Sequence, residues 1–263
     1  MSCKKLNAFG KNSTKKLKDI NTSSLGLYYK FEEYDEDNKY YLIKTGRFIG
    51  NKFSSLEPVT ECICYEFGKL LGIDVAEYTL DIKDVVYNNK EYKNTTVCRS
   101  KWFLAQNEEF SSIRSLYVNS NKTEVYNEIT ERFPGERINI DNMIVFDYLI
   151  NNTDRHFRNF GIINNDKLAP LYDHGLSLGS DLDDIIFYEE DIQDILMDCD
   201  YSKCFCTSNL KQLALIDNHS LDLASFELNY KDVINKYDCY LKSYRKDFIL
   251  KLIEERLKYV KEL

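Results

Sequence analysis

The chain has 263 residues, 43% of them apolar, and a formal net charge of −8 at pH 7. The apolar content excludes a wholly disordered chain, and the length is enough for one large domain or for two lobes that share a cleft. Because the negative charge excludes a general cationic surface for phosphate backbones, we expect no direct nucleic-acid partner.

The first hundred residues predict a strand-rich unit that contains one helix. The stretches GLYYKFEEY and KYYLIK predict a hairpin in which Lys44 lies at a strand end, on the same face as Leu42. After a predicted loop, an apolar stripe with helical spacing predicts a helix over 58–72, with Pro58 in its first turn and Gly72 at its end. Further strands are predicted at 75–82 and 94–103.

Helices dominate the prediction from residue 104 onward. Apolar residues recur with helical spacing in EVYNEITERF, in DNMIVFDYLI and near 246–262, while FGII and LAPLYD predict short strands. Strands followed by helices are typical of an α+β fold with two lobes. We therefore place a β-rich N-lobe at 1–103 and a helical C-lobe at 104–263, with the hinge near 99–106.

Eight cysteines without Cys-x-x-Cys spacing indicate neither zinc nor a disulfide framework. The sequence starts MSCKKLNAFGKN, which lacks the apolar core of a signal peptide, and no stretch approaches the ~20 apolar residues of a membrane span. We therefore predict a cytoplasmic protein without a membrane span. A role as a secreted effector stays open.

Short polar side chains are concentrated between Asn151 and Gly179. Phosphoryl transfer needs a carboxylate for the acceptor hydroxyl, oxygen ligands for Mg²⁺ and a cation for the nucleotide phosphates. Asp154 suits the first task, Asn159 and Asp173 the second. Lys44 suits the third. An Asn/Asp-rich loop alone is more often just a turn, Asp173 alone is explained by a helix cap, and Lys44 alone by an exposed strand. Their ordered conjunction favours a metal–phosphate site.

The segments NNTDRHFRNF and LAPLYDHGLSL closely resemble the catalytic core of the HipA-like kinases, which carry N-x-D-x-H-x-x-N-F and then L-A-P-x-Y-D. YYLIKTG and TECICYEFGKLLGIDVAEY resemble that family's nucleotide-lysine strand and the helix after it. The resemblance covers roughly residues 20 to 180. It implies a two-lobed protein-kinase-like fold and ATP- and Mg²⁺-dependent phosphorylation of serine or threonine in a protein.

The resemblance also implies a role for each matching residue. Asp154 corresponds to the catalytic base, and His156 to a histidine for which we favour an orienting role. The remaining assignments are Asn159 and Asp173 as magnesium ligands, Lys44 as the ATP lysine, and Glu61 as its ion-pair partner, with Glu57 in reserve.

Two features depart from the family pattern. The chain begins close to the nucleotide lobe, so it resembles short relatives without the extra N-terminal subdomain, and an antitoxin partner cannot be assumed. No G-x-G-x-x-G precedes the first strand, where Asn21-Thr22-Ser23-Ser24-Leu25-Gly26 stands instead. Ser23 and Ser24 are our candidates for ATP contact and inhibitory autophosphorylation. An ordinary Ser/Thr turn explains the same residues equally well.

Three other functions compete with this prediction. Asp154-Arg155-His156-x-x-Asn159 also resembles the catalytic loop of phosphoinositide kinases, although the acidic stretch after Asp173 disfavours an anionic lipid. Aminoglycoside-type phosphotransferases share D-x4-N but place a histidine before the aspartate. A catalytically inactive kinase fold used as a binding module is the third. The protein substrate, and a toxin or effector role, stay open.

Overall fold

The structure is a computed structural model that describes residues 28–117 and 121–263. Ser23 and Ser24 lie outside these residues. The N-terminal part is an antiparallel sheet with strand order β1-β2-β5-β4, in which β3 pairs with the end of β2. Its elements are β1 (Tyr28–Tyr34), β2 (Tyr40–Ile49), β3 (Lys52–Phe53), α1 (Leu56–Leu70), β4 (Tyr78–Tyr87) and β5 (Lys90–Lys101).

Strand β2 lies in the middle of this sheet and is longer than the sequence predicted. Lys44 faces Lys30 on β1 and Cys98 on β5. The predicted loop after Lys44 is wrong in its first half, because β2 continues to Ile49 and its backbone groups pair with β5 and then with β3. Pairing with neighbouring strands satisfies the backbone hydrogen-bonding groups of these residues. The local sequence, which predicted a loop, does not show that these partner strands are present.

Turns and helix ends follow local sequence closely. Asn88 and Asn89 both adopt positive φ, 49° and 61°, in the turn between β4 and β5, as a tight hairpin turn requires. Helix α1 begins at Leu56, two residues before the predicted start, and Pro58 lies within its first turn, where its missing N–H has no helical partner to lose. Gly72 follows the helix at φ 76°.

The C-terminal part is mostly helical, with a small antiparallel sheet of order β6-β7-β8. Its strands are β6 (Phe110–Ser112), β7 (Gly161–Ile163) and β8 (Lys167–Leu168). Its helices are α2 (Ile113–Leu116), α3 (Lys122–Arg132), α4 (Arg137–Leu149), α5 (Ile186–Glu189), α6 (Ile192–Asp198), α7 (Asn209–Leu213), α8 (Leu223–Lys236) and α9 (Ser243–Val260), with 3-10 turns at Pro134–Glu136 and Asp238–Tyr240.

One large apolar core joins α1 to the helices of the C-terminal part. Helix α4 is buried from Ile140 to Leu149, so it is a fixed support for the polar loop that follows it. Arg256 of α9 holds the C-terminal end of α4, because it donates to the carbonyl of Tyr148 and, at 2.8 Å, to Oδ1 of Asn151. The loop therefore starts from a rigid base.

The segment before Asp173 differs from the predicted strand. Strand β8 ends at Leu168, because Pro170 has no N–H to continue a ladder. Leu171 instead forms a parallel bridge with Val75, which ties the segment to the chain just before β4. Asp173 itself has a positive φ of 63° and is not part of a strand.

No helix in the two described ranges is both long and apolar enough to cross a membrane.

Candidate active site

The ammonium group of Lys44 lies at the centre of a buried cluster that joins the two parts of the chain. Its Nζ lies 2.9 Å from Oε1 of Glu61 on α1, 3.0 Å from Oδ1 of Asp173 and 3.0 Å from the hydroxyl of Tyr78. The second oxygen of Asp173 lies 4.0 Å from Nζ of Lys30. Residues that are 129 positions apart in sequence are thus in direct contact.

The charged groups of this cluster shift one another's pKa values. Burial alone would lower the pKa of Lys44, but the carboxylates of Asp173 and Glu61 raise it well above its usual value. Burial would raise the pKa of Asp173, yet Lys44 and Lys30 hold it far below its usual range. Lys44 is therefore an ammonium and Asp173 a carboxylate throughout the physiological pH range.

The structure shows which of the two candidate glutamates, Glu61 or Glu57, pairs with Lys44. Glu61 contacts Lys44, and its other oxygen, Oε2, accepts the backbone N–H of His174 at 2.8 Å. Glu57 pairs instead with Arg47, whose Nε lies 2.5 Å from Oε1 of Glu57. Nη2 of Arg47 donates to the carbonyl of Ser180 at 2.7 Å, so Arg47 also links strand β2 to the C-terminal part.

The imidazole of His174 is fully buried and packs edge-on against Phe146, with ring centroids 5.4 Å apart. Burial, followed by the nearby charges of Arg155 and Lys44, holds its pKa well below the usual value, so the ring is neutral. Neither ring nitrogen has a hydrogen-bond partner among the described residues. His174 thus contributes to the site through its backbone N–H.

Asp154 is presented by a loop whose backbone is held by short-range hydrogen bonds. Its N–H donates to Oδ1 of Asn152 at 3.0 Å, and its carbonyl accepts from Nδ2 of Asn159 at 2.9 Å. Asp154 and Asn159 therefore form one unit, as the five-residue spacing predicts. Oδ2 of Asp154 lies 4.0 Å from Nε2 of His156, and Nδ1 of that histidine accepts the N–H of Arg158 at 3.3 Å. His156 stands beside the carboxylate without a direct hydrogen bond to it.

Arg155 is the support that the sequence analysis missed. Its side chain is 0% exposed and contacts both carboxylate oxygens of Asp147 on α4, at 2.8 and 3.1 Å. Nη1 donates to the carbonyls of Asn159 and Tyr172, each at 2.7 Å. One guanidinium therefore joins α4, the Asp154 loop and the residue before Asp173. The position of this arginine between the candidate base Asp154 and His156 was the available signal.

Lys203 is a second residue that the sequence analysis did not single out. Its Nζ lies 2.5 Å from Oδ1 of Asp154. No motif marks this lysine, since it lies 49 positions after the aspartate.

The residues predicted to hold Mg²⁺ fit that ion in their chemistry. Asp173 offers a half-buried carboxylate that faces the ammonium groups of Lys44 and Lys30. Asn159 donates through Nδ2 to the carbonyl of Asp154, so its side-chain oxygen is not used in that hydrogen bond. Within residues 28–117 and 121–263, no group of three or more His, Cys, Asp or Glu side chains forms a complete metal site. Nucleotide phosphates and water would supply the other ligands, as is usual for Mg²⁺.

One kinase family model matches the part of the chain that carries most of these residues. The family model described as phosphatidylinositol 3- and 4-kinase matches residues 41–200, more than half of the chain. The chain belongs to the phosphatidylinositol 3- and 4-kinase family. The match to this kinase family spans all the described site residues before Lys203 except Lys30. No curated protein matches the sequence.

Solved kinase structures are similar in fold. The chain is similar to the proinflammatory kinase CtkA of Helicobacter pylori, with a TM-score of 0.64 and 18% identity, over 89% of this chain and 88% of that chain. HipA of Shewanella oneidensis MR-1, in complex with HipB and operator DNA, gives a TM-score of 0.49 and 12% identity over 90% and 66%. The Golgi casein kinase with Mn/ADP bound gives 0.47 and 15% over 90% and 70%. The similarity to CtkA confirms the predicted kinase-like α+β fold.

Proposed function

We propose that this chain is an ATP- and Mg²⁺-dependent protein kinase of the HipA-like type, which phosphorylates a serine or threonine hydroxyl. The observation that carries the proposal is the contact of one buried ammonium, Lys44, with both Glu61 and Asp173. This contact joins a candidate phosphate-binding strand to a candidate metal ligand. Arg155 links the same segment to the loop of Asp154.

Each residue then has a defined task in phosphoryl transfer. Lys44 binds the oxygens of the nucleotide phosphates, and Glu61 keeps its ammonium oriented. The acceptor oxygen forms a bond to the γ-phosphorus as the bond from that phosphorus to the β–γ bridging oxygen breaks. Asp154 orients the acceptor hydroxyl and takes its proton, and ADP leaves. Arg155 holds the Asp154 loop and the Asp173 segment in register.

Asp173 and Asn159 are the proposed magnesium ligands. When bound, Mg²⁺ neutralises negative charge on the β- and γ-phosphates. Asp173 and Asn159 would hold the ion through their side-chain oxygens, and Lys44 would keep its contact with Glu61.

The charge of the surface that follows Asp173 favours a protein acceptor. The segment over 181–200 contains α5 and α6 and is rich in aspartate and glutamate. An anionic membrane surface is repelled by such a segment, whereas a peptide with basic residues is attracted to it.

Phosphorylation of a phosphoinositide is the second candidate. The match of residues 41–200 to the phosphatidylinositol 3- and 4-kinase model supports it. The acidic surface argues against it.

A single labelling experiment separates these functions. Purified protein is incubated with Mg²⁺ and γ-labelled ATP in the presence of either a mixed set of proteins or phosphatidylinositol vesicles. We expect label on serine or threonine of protein, abolished in Asp154→Ala. Asp166→Ala, in the exposed turn between β7 and β8, is the matched control.

Label on the lipid alone would favour the second candidate. Absence of turnover with every acceptor would favour the inactive binding module.

Autophosphorylation at Ser23 or Ser24 stays a prediction, since both residues lie outside the described ranges. A phosphate on either serine would add up to two negative charges, and we expect it to lower ATP affinity. Peptide mapping after incubation with Mg-ATP tests it, and label confined to positions outside 21–26 would contradict it.

A further inference from the structure

The candidate catalytic carboxylate has a cation beside it that no motif accounts for. Nζ of Lys203 lies 2.5 Å from Oδ1 of Asp154, and the lysine side chain is 39% exposed. Burial by itself lowers the pKa of Lys203, but its hydrogen bond to Asp154 and the charge of that carboxylate raise it above the usual value. The side chain is therefore a protonated ammonium that remains partly exposed to solvent.

The segment that carries Lys203 is held by its own buried network. Ser202 and Cys204, on either side of it, are both buried. The hydroxyl of Ser202 accepts from Nε2 of Gln212 at 2.7 Å and from the N–H of Cys204 at 3.3 Å. The N–H of Phe205 donates to Oε1 of the same glutamine at 2.9 Å. Helix α7 thus sets the backbone of the lysine in place.

Aromatic packing places this segment directly against the catalytic loop. The ring centroid of Phe205 lies 5.8 Å from that of Phe157 and 6.0 Å from that of Phe160, and both partners follow Asp154 within six residues. The carbonyl of Lys203 also accepts from Nζ of Lys122 at 2.9 Å. Because these contacts fix the backbone at Lys203, they hold its ammonium close to Asp154.

Lys44, Lys30 and Arg155, three other cations near the site, are committed elsewhere. Lys44 and Lys30 face Asp173, on the nucleotide side. Arg155 is buried and uses its donors on Asp147 and two carbonyls. Lys203 therefore supplies positive charge on the side of the site where the acceptor hydroxyl meets Asp154.

We propose that Lys203 is a catalytic residue whose ammonium contacts an oxygen of the transferring phosphoryl group. This inference rests on the proposed phosphoryl transfer. A hydroxyl that gives its proton to Asp154 lies about 2.6–3.2 Å from the carboxylate. Its oxygen lies about 3–3.5 Å from the phosphorus before reaction. An ammonium that touches the same carboxylate is then within reach of the phosphoryl oxygens, where negative charge is carried through the transition state.

The test compares Lys203→Met with Lys203→Arg and with Lys211→Met, an exposed lysine of α7 that makes no contact with Asp154. Turnover is followed by peptide labelling and by ATP hydrolysis. Affinity is measured for Mg-ADP and for Mg-ADP with aluminium fluoride, which imitates the transferring phosphoryl group. Circular dichroism and thermal unfolding confirm that each variant is folded.

We expect Lys203→Met to lower kcat by about 10²–10³-fold, as the loss of one preorganised donor does. Its affinity for Mg-ADP with aluminium fluoride falls by a similar factor, while its KM for ATP and its affinity for Mg-ADP stay within about threefold of the parent, because the contact belongs to the transition state. Lys203→Arg retains part of the activity, and Lys211→Met behaves as the parent.

Equal binding of Mg-ADP with aluminium fluoride by the parent and Lys203→Met would overturn the proposal, even if kcat fell. Faster turnover by Lys203→Met would also overturn it, since the lysine would then restrain Asp154. If the parent protein phosphorylates the peptide, both of these outcomes leave the proposed function unaffected. A parent protein that neither binds Mg-ADP nor turns over ATP overturns both.

Discussion

Lys44 illustrates at the residue scale how one charge holds two others in place. Replacing it by methionine leaves the buried carboxylate of Glu61 and the half-buried carboxylate of Asp173 without their shared cation. We expect Lys44→Met to lower the free energy of unfolding by about 3–5 kcal/mol, the usual effect of breaking a buried ion pair from one side. Turnover is lost as well, because the phosphates lose their cation.

A double-mutant cycle tests this coupling by urea denaturation. Lys44→Met combined with Glu61→Gln removes one of the two opposed carboxylates, so we expect it to regain part of the stability and none of the activity. Additive effects of the two substitutions would contradict a shared cluster.

The hydrogen bonds of the Arg155 guanidinium make lysine a poor substitute for it. Its fork contacts Asp147 through two nitrogens and also reaches the carbonyls of Asn159 and Tyr172. A lysine has one nitrogen and leaves several of these buried acceptors unpaired. We expect Arg155→Lys to destabilise the fold by about 2–4 kcal/mol in thermal unfolding, and Arg158→Lys, an exposed neighbour, to change little. Equal melting temperatures would remove Arg155 from its supporting role.

At the scale of elements, Asp184 fastens the segment that precedes α5 to the start of α9. Its carboxylate contacts Lys242 and Arg245, and Arg245 also donates to the carbonyls of Gly179 and Leu182. Burial opposes ionisation of Asp184, but the hydrogen bonds from Lys242 and Arg245 lower its pKa to about 2. The contact thus favours the ionised form in the folded state.

The sign of its pH dependence follows from that shift. A folded-state pKa below the usual value of 3.8 means that the stabilisation is complete above that value and is lost as the pH falls through about 2. We expect Asp184→Asn to lower the stability at pH 7 by less than about 1 kcal/mol, since the carboxylate is partly exposed. The difference between variant and parent in urea unfolding shrinks below pH 4. A constant difference across this range would contradict the assignment.

For the whole molecule, the candidate site connects the sheet to the helical part, so ligand binding stabilises both together. Lys44 belongs to β2, and Asp173 follows the small sheet of the C-terminal part. A non-hydrolysable ATP analogue with Mg²⁺ at 100 times its Kd should raise the free energy of unfolding by about 2.7 kcal/mol. We expect EDTA to remove much of this effect in the parent.

Asp173→Asn should remove the EDTA-sensitive part, because an amide is a weaker magnesium ligand than a carboxylate. Asp166→Asn is the control, on the exposed turn after β7. A thermal shift in Asp173→Asn that still depends on EDTA would place the metal elsewhere.

The sequence by itself determined the features that depend on neighbouring residues. Helical spacing of apolar residues marked α1 and α4, Asn88-Asn89 marked a hairpin turn, and the order of strands and helices indicated an α+β fold with two lobes. The resemblance to the HipA-like kinases implied that this fold is kinase-like. The pair Asp154 and Asn159 was also visible, because five residues of one loop suffice to bring them together.

Tertiary structure alone decided which of these groups meet. Glu57 and Glu61 lie one turn apart on the same face of α1, so the choice between them depends on which turn lies beside Lys44 and which beside Arg47 of β2. Strand β2 extends to Ile49 because β5 and β3 pair with it, and Asp173 turns at positive φ after a bridge to Val75. Arg155 and Lys203 act through partners that lie on other elements. Charge pairing and strand pairing are set by distance in space, and a linear pattern does not contain that distance.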